Sequence, residues 1–153
     1  MNLKDLLHSV DVIDSINDKQ LNIQGIAYHS KLVEEGFLFV CIKGYEVDGH
    51  HYLESAKNNG AIAAIVEEFQ NHIDIPQYKV SNARKVLAIV SSTFYDNPSK
   101  KLNMIGISAT NGKTSTAFMT NAIFEQHNFI TGLIGTVHVK IGDEKIPATL
   151  TTP

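Results

Sequence analysis

Three consecutive residues, Gly112, Lys113 and Thr114, have the types and the order that can hold a phosphate group. A glycine lets the backbone approach an anion closely, and the N–H groups at the start of a following helix can face that anion. Lys113 brings a mobile positive charge for the outer phosphates, and the Thr114 hydroxyl can ligate Mg²⁺. Apolar or small residues at 104–107 precede this turn, and helix-forming residues follow it. The sequence therefore predicts a strand, a phosphate loop and a helix in that order.

The spacing of the glycines departs from the usual phosphate-loop pattern, G-x-x-x-x-G-K-[ST]. The first glycine of that pattern would fall on Ile107, and the nearest glycine, Gly106, stands one residue too early. A bare Gly-Lys-Thr also arises by chance, so an exposed lysine at a helix cap is the alternative interpretation. Ser115 and Thr116 are interpreted as helix-start residues, because no acid–base partner is apparent beside them.

The string Ala-Thr-Asn-Gly-Lys-Thr at residues 109–114 resembles the G-T-N-G-K-T phosphate loop of the Mur ligases. Those enzymes add amino acids to a UDP-sugar peptide in bacterial cell-wall synthesis. The longer family form, G-x-x-G-T-N-G-K-T, has its first glycine where Gly106 stands, which accounts for the spacing. The family glycine before Thr-Asn is Ala109 in this chain.

The resemblance extends over nearly the whole chain. Residues 28–31 (Tyr-His-Ser-Lys), 36–40 (Gly-Phe-Leu-Phe-Val) and 43–50 (Lys-Gly-Tyr-Glu-Val-Asp-Gly-His) are similar to one family block, D-S-R, then G-x-[LI]-F-V, then G-x-x-x-D-G-H. That block belongs to the N-terminal domain of the Mur ligase that adds the third residue of the peptide. Residues 95–99 look like the exit from this domain, and residues 151–153 look like the threonine pair of the central domain.

The resemblance implies two groups of site residues. One would bind the UDP-linked substrate, with Ser30 at the uridine, a loop over the uracil, and two threonines at the pyrophosphate–muramoyl region; its members are Tyr28, Ser30, Tyr45, Glu46, Val47, Thr151 and Thr152. The other would hold ATP, with Lys113 as the catalytic residue and Thr114 as a ligand of Mg²⁺; its members are Ala109, Thr110, Asn111, Gly112, Lys113, Thr114 and Ser115. Three departures from the family pattern, at His29, Lys31 and Leu150, affect fine substrate contacts rather than the fold.

The implied reaction is an ATP-driven amide ligation. The γ-phosphate would pass to the D-glutamyl carboxylate of UDP-N-acetylmuramoyl-L-alanyl-D-glutamate, and the amine of a diamino acid would displace it. The sequence leaves open whether the diamino acid is L-lysine or meso-diaminopimelate. The remaining catalytic groups of the family would lie beyond Pro153, so we expect this chain alone not to catalyse ligation.

Two other functions remain open. One is another ligase of the superfamily, either the dipeptide-adding Mur ligase or a folylpolyglutamate synthase, against which Ser30 and the Asp48-Gly49-His50 string argue. The other is a non-catalytic nucleotide-binding module, which the loss of glycine at Ala109 keeps open.

Composition excludes several classes of protein. With 43% hydrophobic and 19% charged residues, the 153-residue chain can bury a core and is not expected to be disordered. A net charge of −3 argues against nucleic acid as a partner. The start lacks a signal peptide, and the longest aliphatic run, 61–66, is too short for a membrane span. A lone Cys41 excludes an internal disulfide. We expect a cytoplasmic monomer without membrane insertion.

The predicted fold class is α/β, in two parts. The first, residues 1–97, is a small domain that binds the UDP-substrate. In it we predict helices over 2–10, 49–59 (capped by Asp48) and 83–94 (capped by Asn82), and buried strands over 37–42 and 61–67. Shorter strands are predicted over 21–30 and up to 80–81, and residues 11–20 are predicted to be irregular.

The second part, residues 98–153, is predicted to be the start of a truncated doubly wound ATP-binding domain. It would hold a strand over 102–107, a helix over 113–127, a strand over 131–141 and, after a turn at 142–144, a second hairpin strand over 145–150. Seven histidines invite a metal site, but adjacent His50 and His51 cannot chelate as an i, i+4 pair, so the histidines are predicted to be solvated or capping.

Overall fold

The computed structural model describes residues 1–45 and 47–147. The chain divides into two compact units, Met1–Leu102 and Asn103–Pro153. None of the described helices is both long and apolar enough to cross a membrane.

The first unit is built on a five-stranded sheet with the order β1-β5-β4-β3-β2. Strands β2 to β5 are parallel to one another, and only β1, at one edge, runs antiparallel to its neighbour β5. The strands are β1 (Val12–Ile16), β2 (Gly25–Ala27), β3 (Phe37–Val40), β4 (Ala61–Val66) and β5 (Gln77–Val80). Parallel neighbours need crossover connections, so the chain alternates strands with helices or turns, as predicted.

Helices and short 3₁₀ turns make these connections. The helices are α1 (Leu3–Leu7), α2 (Leu53–Asn58) and α3 (Ala83–Phe94), and the 3₁₀ turns are Ser30–Leu32, Gly49–Tyr52 and Pro98–Lys101. The predicted caps are confirmed, because Asp48 accepts a hydrogen bond from the His50 backbone N–H and Asn82 accepts one from that of Lys85. The helix predicted over 49–59 is α-helical only from Leu53, after the 3₁₀ turn.

Both faces of the sheet are covered by apolar side chains. Leu38 and Val40 of β3 pack into one core cluster, and Phe39 packs into the other with Cys41. From Ala63 onward β4 alternates in the same way, which explains why both strands appear in the sequence as continuous apolar runs. Burial, and then the negative charge of Asp48, raise the pKa of the Cys41 thiol to about 12, so this cysteine is a buried and unreactive thiol.

The prediction that residues 11–20 are irregular is wrong, because residues 12–16 form strand β1. Its middle residues are exposed, so the segment shows no apolar pattern. Pairing with β5 makes it a strand: Val12 lies opposite Val80 and Ile16 opposite Gln77. The strand predicted over 21–30 is only three residues long, and Ser30 begins a 3₁₀ turn.

The second unit contains one helix and a three-stranded antiparallel sheet of order β6-β7-β8. Its elements are α4 (Lys113–Gln126), β6 (Gly132–Ile134), β7 (His138–Ile141) and β8 (Glu144–Pro147). The predicted helix is confirmed, and so is the hairpin, although its second strand begins at Glu144 and residues 148–150 of that predicted strand lie outside the described residues. The single strand predicted over 131–141 is wrong, because the chain reverses between Ile134 and His138 and the two halves pair with each other.

The strand predicted over 102–107 is also absent from the structure. A strand is stable only when a neighbour completes its hydrogen bonds, and within the described residues no segment pairs with this one. Helix α4 buries none of its residues, and Met119 and Ile123 remain exposed. The backbone hydrogen bonds of a helix are made within the segment itself, whereas a strand needs a partner.

Candidate functional site

The carboxyl ends of the parallel strands meet at one edge of the first sheet. In sheets of this kind, ligands bind in the crevice just beyond that edge, where the connecting segments leave the strands. The segments leaving β2, β3 and β5 together line a cavity of about 500 Å³. The lining residues are Tyr28, His29, Ser30, Lys31, Phe39, Ile42, Val47, Gly49, Tyr52 and Arg84. We call this cavity the edge pocket.

The turn after β2 supplies the predicted residues Tyr28 and Ser30. Ser30 is only 7% exposed, and its carbonyl accepts a hydrogen bond from the Asn59 side chain at 2.9 Å. The His29 ring accepts one from the Lys31 backbone N–H at 3.3 Å, so His29 is a capping histidine, as predicted. One hydrogen bond within the turn and one from the residue that ends α2 therefore hold this turn, which forms one wall of the edge pocket.

A narrow loop after β3, which we call the tongue (residues 43–49), forms a second wall. An isolated antiparallel bridge between Lys43 and Asp48 closes it. Gly49 lets the two sides come this close, since a Cβ atom there would lie 2.7 Å from the backbone nitrogen of Ile42. Val47 lines the edge pocket, whereas Tyr45, at the tip, is fully exposed and does not. Glu46 lies outside the described residues.

Arg84 is a candidate binding residue that the sequence analysis missed. It lies in the first turn of α3, immediately after the segment that leaves β5, and it lines the edge pocket. Among the described residues that line it are Lys31 and Arg84 and no acidic side chain, so this part of the lining favours an anionic ligand. The sequence does show that Arg84 follows a predicted strand and the helix cap Asn82. No local motif, however, distinguishes it from other surface arginines and lysines.

His50 is 5% exposed, so of the two predicted alternatives, solvated or capping, the solvated one does not apply to this residue. Its Nδ1 lies 2.6 Å from Asp48 Oδ1, and its Nε2 accepts the backbone N–H of Glu67 at 3.0 Å. Burial raises the pKa of the Asp48 carboxyl, but the hydrogen bonds from His50 and the charge of Lys43 outweigh burial and hold that pKa below its ordinary value. Asp48 is therefore a carboxylate that both caps a turn and orients a histidine.

The predicted phosphate loop lies in the second unit, directly before α4. Gly112 has φ +79°, a conformation that favours glycine, and it occupies the N-cap position of the helix. The Lys113 ammonium donates hydrogen bonds to the carbonyl oxygens of Ala109, at 2.6 Å, and Thr110, at 3.3 Å. The charge is thus held against the loop, beside the free N–H groups of the first helical turn.

The other residues predicted to bind ATP lie in this loop and in the first turn of α4. Thr110, Asn111, Thr114 and Ser115 are exposed, with Thr114 and Ser115 in the first turn of α4. Ala109 is not among the residues with positive φ, so its methyl group causes no left-handed strain. A hydroxyl oxygen such as that of Thr114 suits the hard cation Mg²⁺. In the part of the chain that the structure describes, no three His, Cys, Asp or Glu side chains form a metal cluster. Thr151 and Thr152 lie outside the described residues.

Comparison with known proteins gives consistent matches. A family model described as Mur ligase family, catalytic domain, matches residues 22–131. Over its whole length the chain is 41% identical to a protein of Alkaliphilus metalliredigens named UDP-N-acetylmuramoyl-L-alanyl-D-glutamate--2,6-diaminopimelate ligase, 31% of which it covers. The chain spans about a third of the length of the curated relatives it matches.

Solved structures show the same fold. The structure of a ligase with that same name has a TM-score of 0.73 at 19% identity, and the match covers 96% of this chain and 30% of that one. MurF ligase from Thermotoga maritima in complex with ADP has a TM-score of 0.52 at 28% identity, over 66% of this chain and 23% of that one.

Proposed function

The chain belongs to the Mur ligase family, and from this premise we propose that it is part of an ATP-dependent ligase that adds meso-diaminopimelate to UDP-N-acetylmuramoyl-L-alanyl-D-glutamate in peptidoglycan synthesis. The observation that carries the proposal is 41% identity along the whole chain, across both candidate sites, to a ligase named for this reaction. The names of the relatives favour diaminopimelate over lysine. We place the enzyme in the cytoplasm as a monomer.

The edge pocket would hold the uridine end of the substrate. Its aromatic and aliphatic side chains suit the flat uracil ring, and Lys31 and Arg84 suit the diphosphate. Tyr28, Ser30 and Val47 would contact the nucleotide directly, and Tyr45 and Glu46 would contact it from the tongue. Thr151 and Thr152 would meet the substrate further along, towards the muramoyl group. Residues 1–97 would form the domain that binds the UDP-linked substrate, and residues 98–153 would form the start of the ATP-binding domain.

The loop at 109–115 would bind the phosphates of ATP. Backbone N–H groups at the start of α4 would face the anion, and Lys113 would exchange its bonds to loop carbonyls for the outer phosphates. Thr114 would hold Mg²⁺ together with phosphate oxygens, and the ion would neutralise charge on the phosphates. These groups position the γ-phosphoryl group and stabilise its negative charge while it passes to the D-glutamyl carboxylate. The amine of the diamino acid then attacks the acyl phosphate, and inorganic phosphate leaves.

Titrating the isotope-labelled chain with UDP should shift the NMR amide signals around the edge pocket. The largest shifts are expected at Ser30, Val47 and Arg84, because these residues line the edge pocket from three different sides. Ser30→Ala should weaken UDP binding measurably, since a hydroxyl in hydrogen-bond contact with a ligand contributes about 0.5–1.5 kcal/mol. Ser9→Ala, in a separate surface cleft, is the matched control. Shifts confined to residues away from the edge pocket would contradict the assignment.

Ala109→Gly should change ATP affinity of the complete gene product by less than about tenfold, or about 1.4 kcal/mol. The residue that glycine would replace has no positive φ, so its removal relieves no backbone strain. Isothermal calorimetry with a non-hydrolysable ATP analogue measures the difference. A tenfold or larger gain in affinity would show that the methyl group crowds a phosphate, and would favour a degraded nucleotide site.

A further inference from the structure

Three segments that leave adjacent strands are joined by partly buried hydrogen bonds. In the sheet, β4 lies between β3 and β5. The tongue follows β3 and α3 follows β5, and each supplies one wall of the edge pocket. The segment after β4, which contains Glu67 and Glu68, lies between them in the sheet order but does not line the cavity. The segment after β4 is therefore placed to connect the tongue to α3.

His50 connects the tongue to this segment. Its Nε2 accepts the backbone N–H groups of Glu67, at 3.0 Å, and Glu68, at 3.3 Å. Because two donors point at Nε2, that nitrogen carries no proton, and the ring proton must lie on Nδ1. Nδ1 then donates to Asp48 Oδ1 at 2.6 Å. Both ring nitrogens are thus used, in one tautomer, inside a nearly closed environment.

Glu67 connects the same segment to α3. Its Oε1 accepts the backbone N–H of Ala83 at 2.8 Å, at the first position of the helix. The next residue, Arg84, lines the edge pocket. A continuous path therefore runs from Asp48 through His50 and Glu67 to the start of α3, and Val47 and Arg84 stand at its two ends.

We propose that His50 is a positioning residue that fixes the separation of the tongue and α3, and so sets the width of the edge pocket for its ligand. His50 does not line the cavity, so it acts through Val47 on one side and Arg84 on the other. This inference rests on the proposed function, because it assigns a task to residues behind the uridine site.

Two variants separate the halves of the connection. In His50→Asn the side-chain amide can still reach Asp48 but not the Glu67 and Glu68 amides. In His50→Gln the longer side chain can accept from those amides but no longer donates to Asp48 from the Nδ1 position. Each variant breaks the path at one side of residue 50 and keeps the hydrogen bonds on the other side. We therefore expect at least one of the two variants to remain folded. His51→Gln, at an exposed neighbouring position, is the matched control.

The test has two readouts. In the complete gene product, both His50 variants should raise the KM for the UDP-linked substrate by about fivefold or more, and leave kcat and the KM for ATP within about twofold of wild type. A purely structural role would instead lower the active fraction, so that apparent kcat would fall while KM stayed unchanged; that result overturns the proposal. Amide exchange on this chain gives the second readout. Exchange at Gly49 and Ala83 should be faster in both variants, because their hydrogen bonds to Ile42 and Glu67 lie in the connected walls.

The outcomes distinguish the two proposals. Both proposals are supported if the wild-type protein turns over the UDP-linked substrate and the His50 variants show a raised KM for it together with faster amide exchange. Wild-type KM in both variants, or unchanged exchange at Gly49 and Ala83, overturns the role of His50 while leaving the proposed reaction intact. A wild-type protein that neither binds UDP nor turns over the UDP-linked substrate overturns the proposed function, and with it the task assigned to His50.

Discussion

Replacing Lys113 with alanine is expected to lower turnover of the complete gene product by about two to three orders of magnitude. The Lys113 ammonium donates hydrogen bonds to two loop carbonyls, at 2.6 and 3.3 Å, and under the proposed function it would instead contact the outer phosphates of ATP. Removing one preorganised donor that stabilises developing charge costs about 2.7–4 kcal/mol of transition-state stabilisation. Steady-state kinetics with saturating UDP-linked substrate and diamino acid measures the loss.

Binding of the UDP-linked substrate should survive this substitution, because the edge pocket lies in the first unit and Lys113 does not line it. Lys100→Ala, at another exposed lysine, is the matched control and should retain wild-type turnover. Near-normal turnover of Lys113→Ala would contradict the assignment of the phosphate loop. Equal loss of substrate binding and turnover would instead indicate that the substitution damages the fold.

Ile65→Ala should destabilise the first unit by about 2–5 kcal/mol. Ile65 is 0% exposed in β4, the central strand of the five, and it packs in the core cluster on one face. Truncation removes three carbon atoms from a closely packed interior, and the neighbouring strands limit how far the cavity can collapse. Since domains of this size are stable by about 5–15 kcal/mol, the loss is a large part of the total. Urea denaturation followed by far-UV circular dichroism measures it.

Ile13→Ala is the matched control for this substitution. Ile13 is 58% exposed on the edge strand β1, so the same truncation leaves no buried cavity and should cost less than about 1 kcal/mol. Similar losses for the two variants would show that the central strand is not the core of the folding unit. A change in the slope of the denaturation curve, rather than its midpoint, would indicate a change in the unfolded state or a loss of two-state behaviour.

The sequence by itself determined the features that depend on neighbouring residues. Strands β3 and β4 appear as continuous apolar runs because both of their faces are buried, and this holds whichever strands pair with them. The caps at Asp48 and Asn82 act within three residues. The turn conformation at Gly112 and the start of α4 are equally local, and a short string was enough to predict the turn and the helix that follows it. Identity to relatives then extends that local pattern to the whole chain.

Tertiary structure decided whatever depends on a distant partner. Edge strand β1 exists because β5, more than sixty residues later in the sequence, offers it hydrogen bonds. Residues 102–107 have the composition of a strand but, within the described chain, no partner to pair with. Arg84 was missed, and the burial of His50 was not predicted, because their surroundings come from segments that follow different strands and meet only at the carboxyl edge of the sheet. Hydrogen bonds between strands and the walls of a pocket are long-range contacts, so local composition cannot specify them, whereas helices and caps are completed within a few residues.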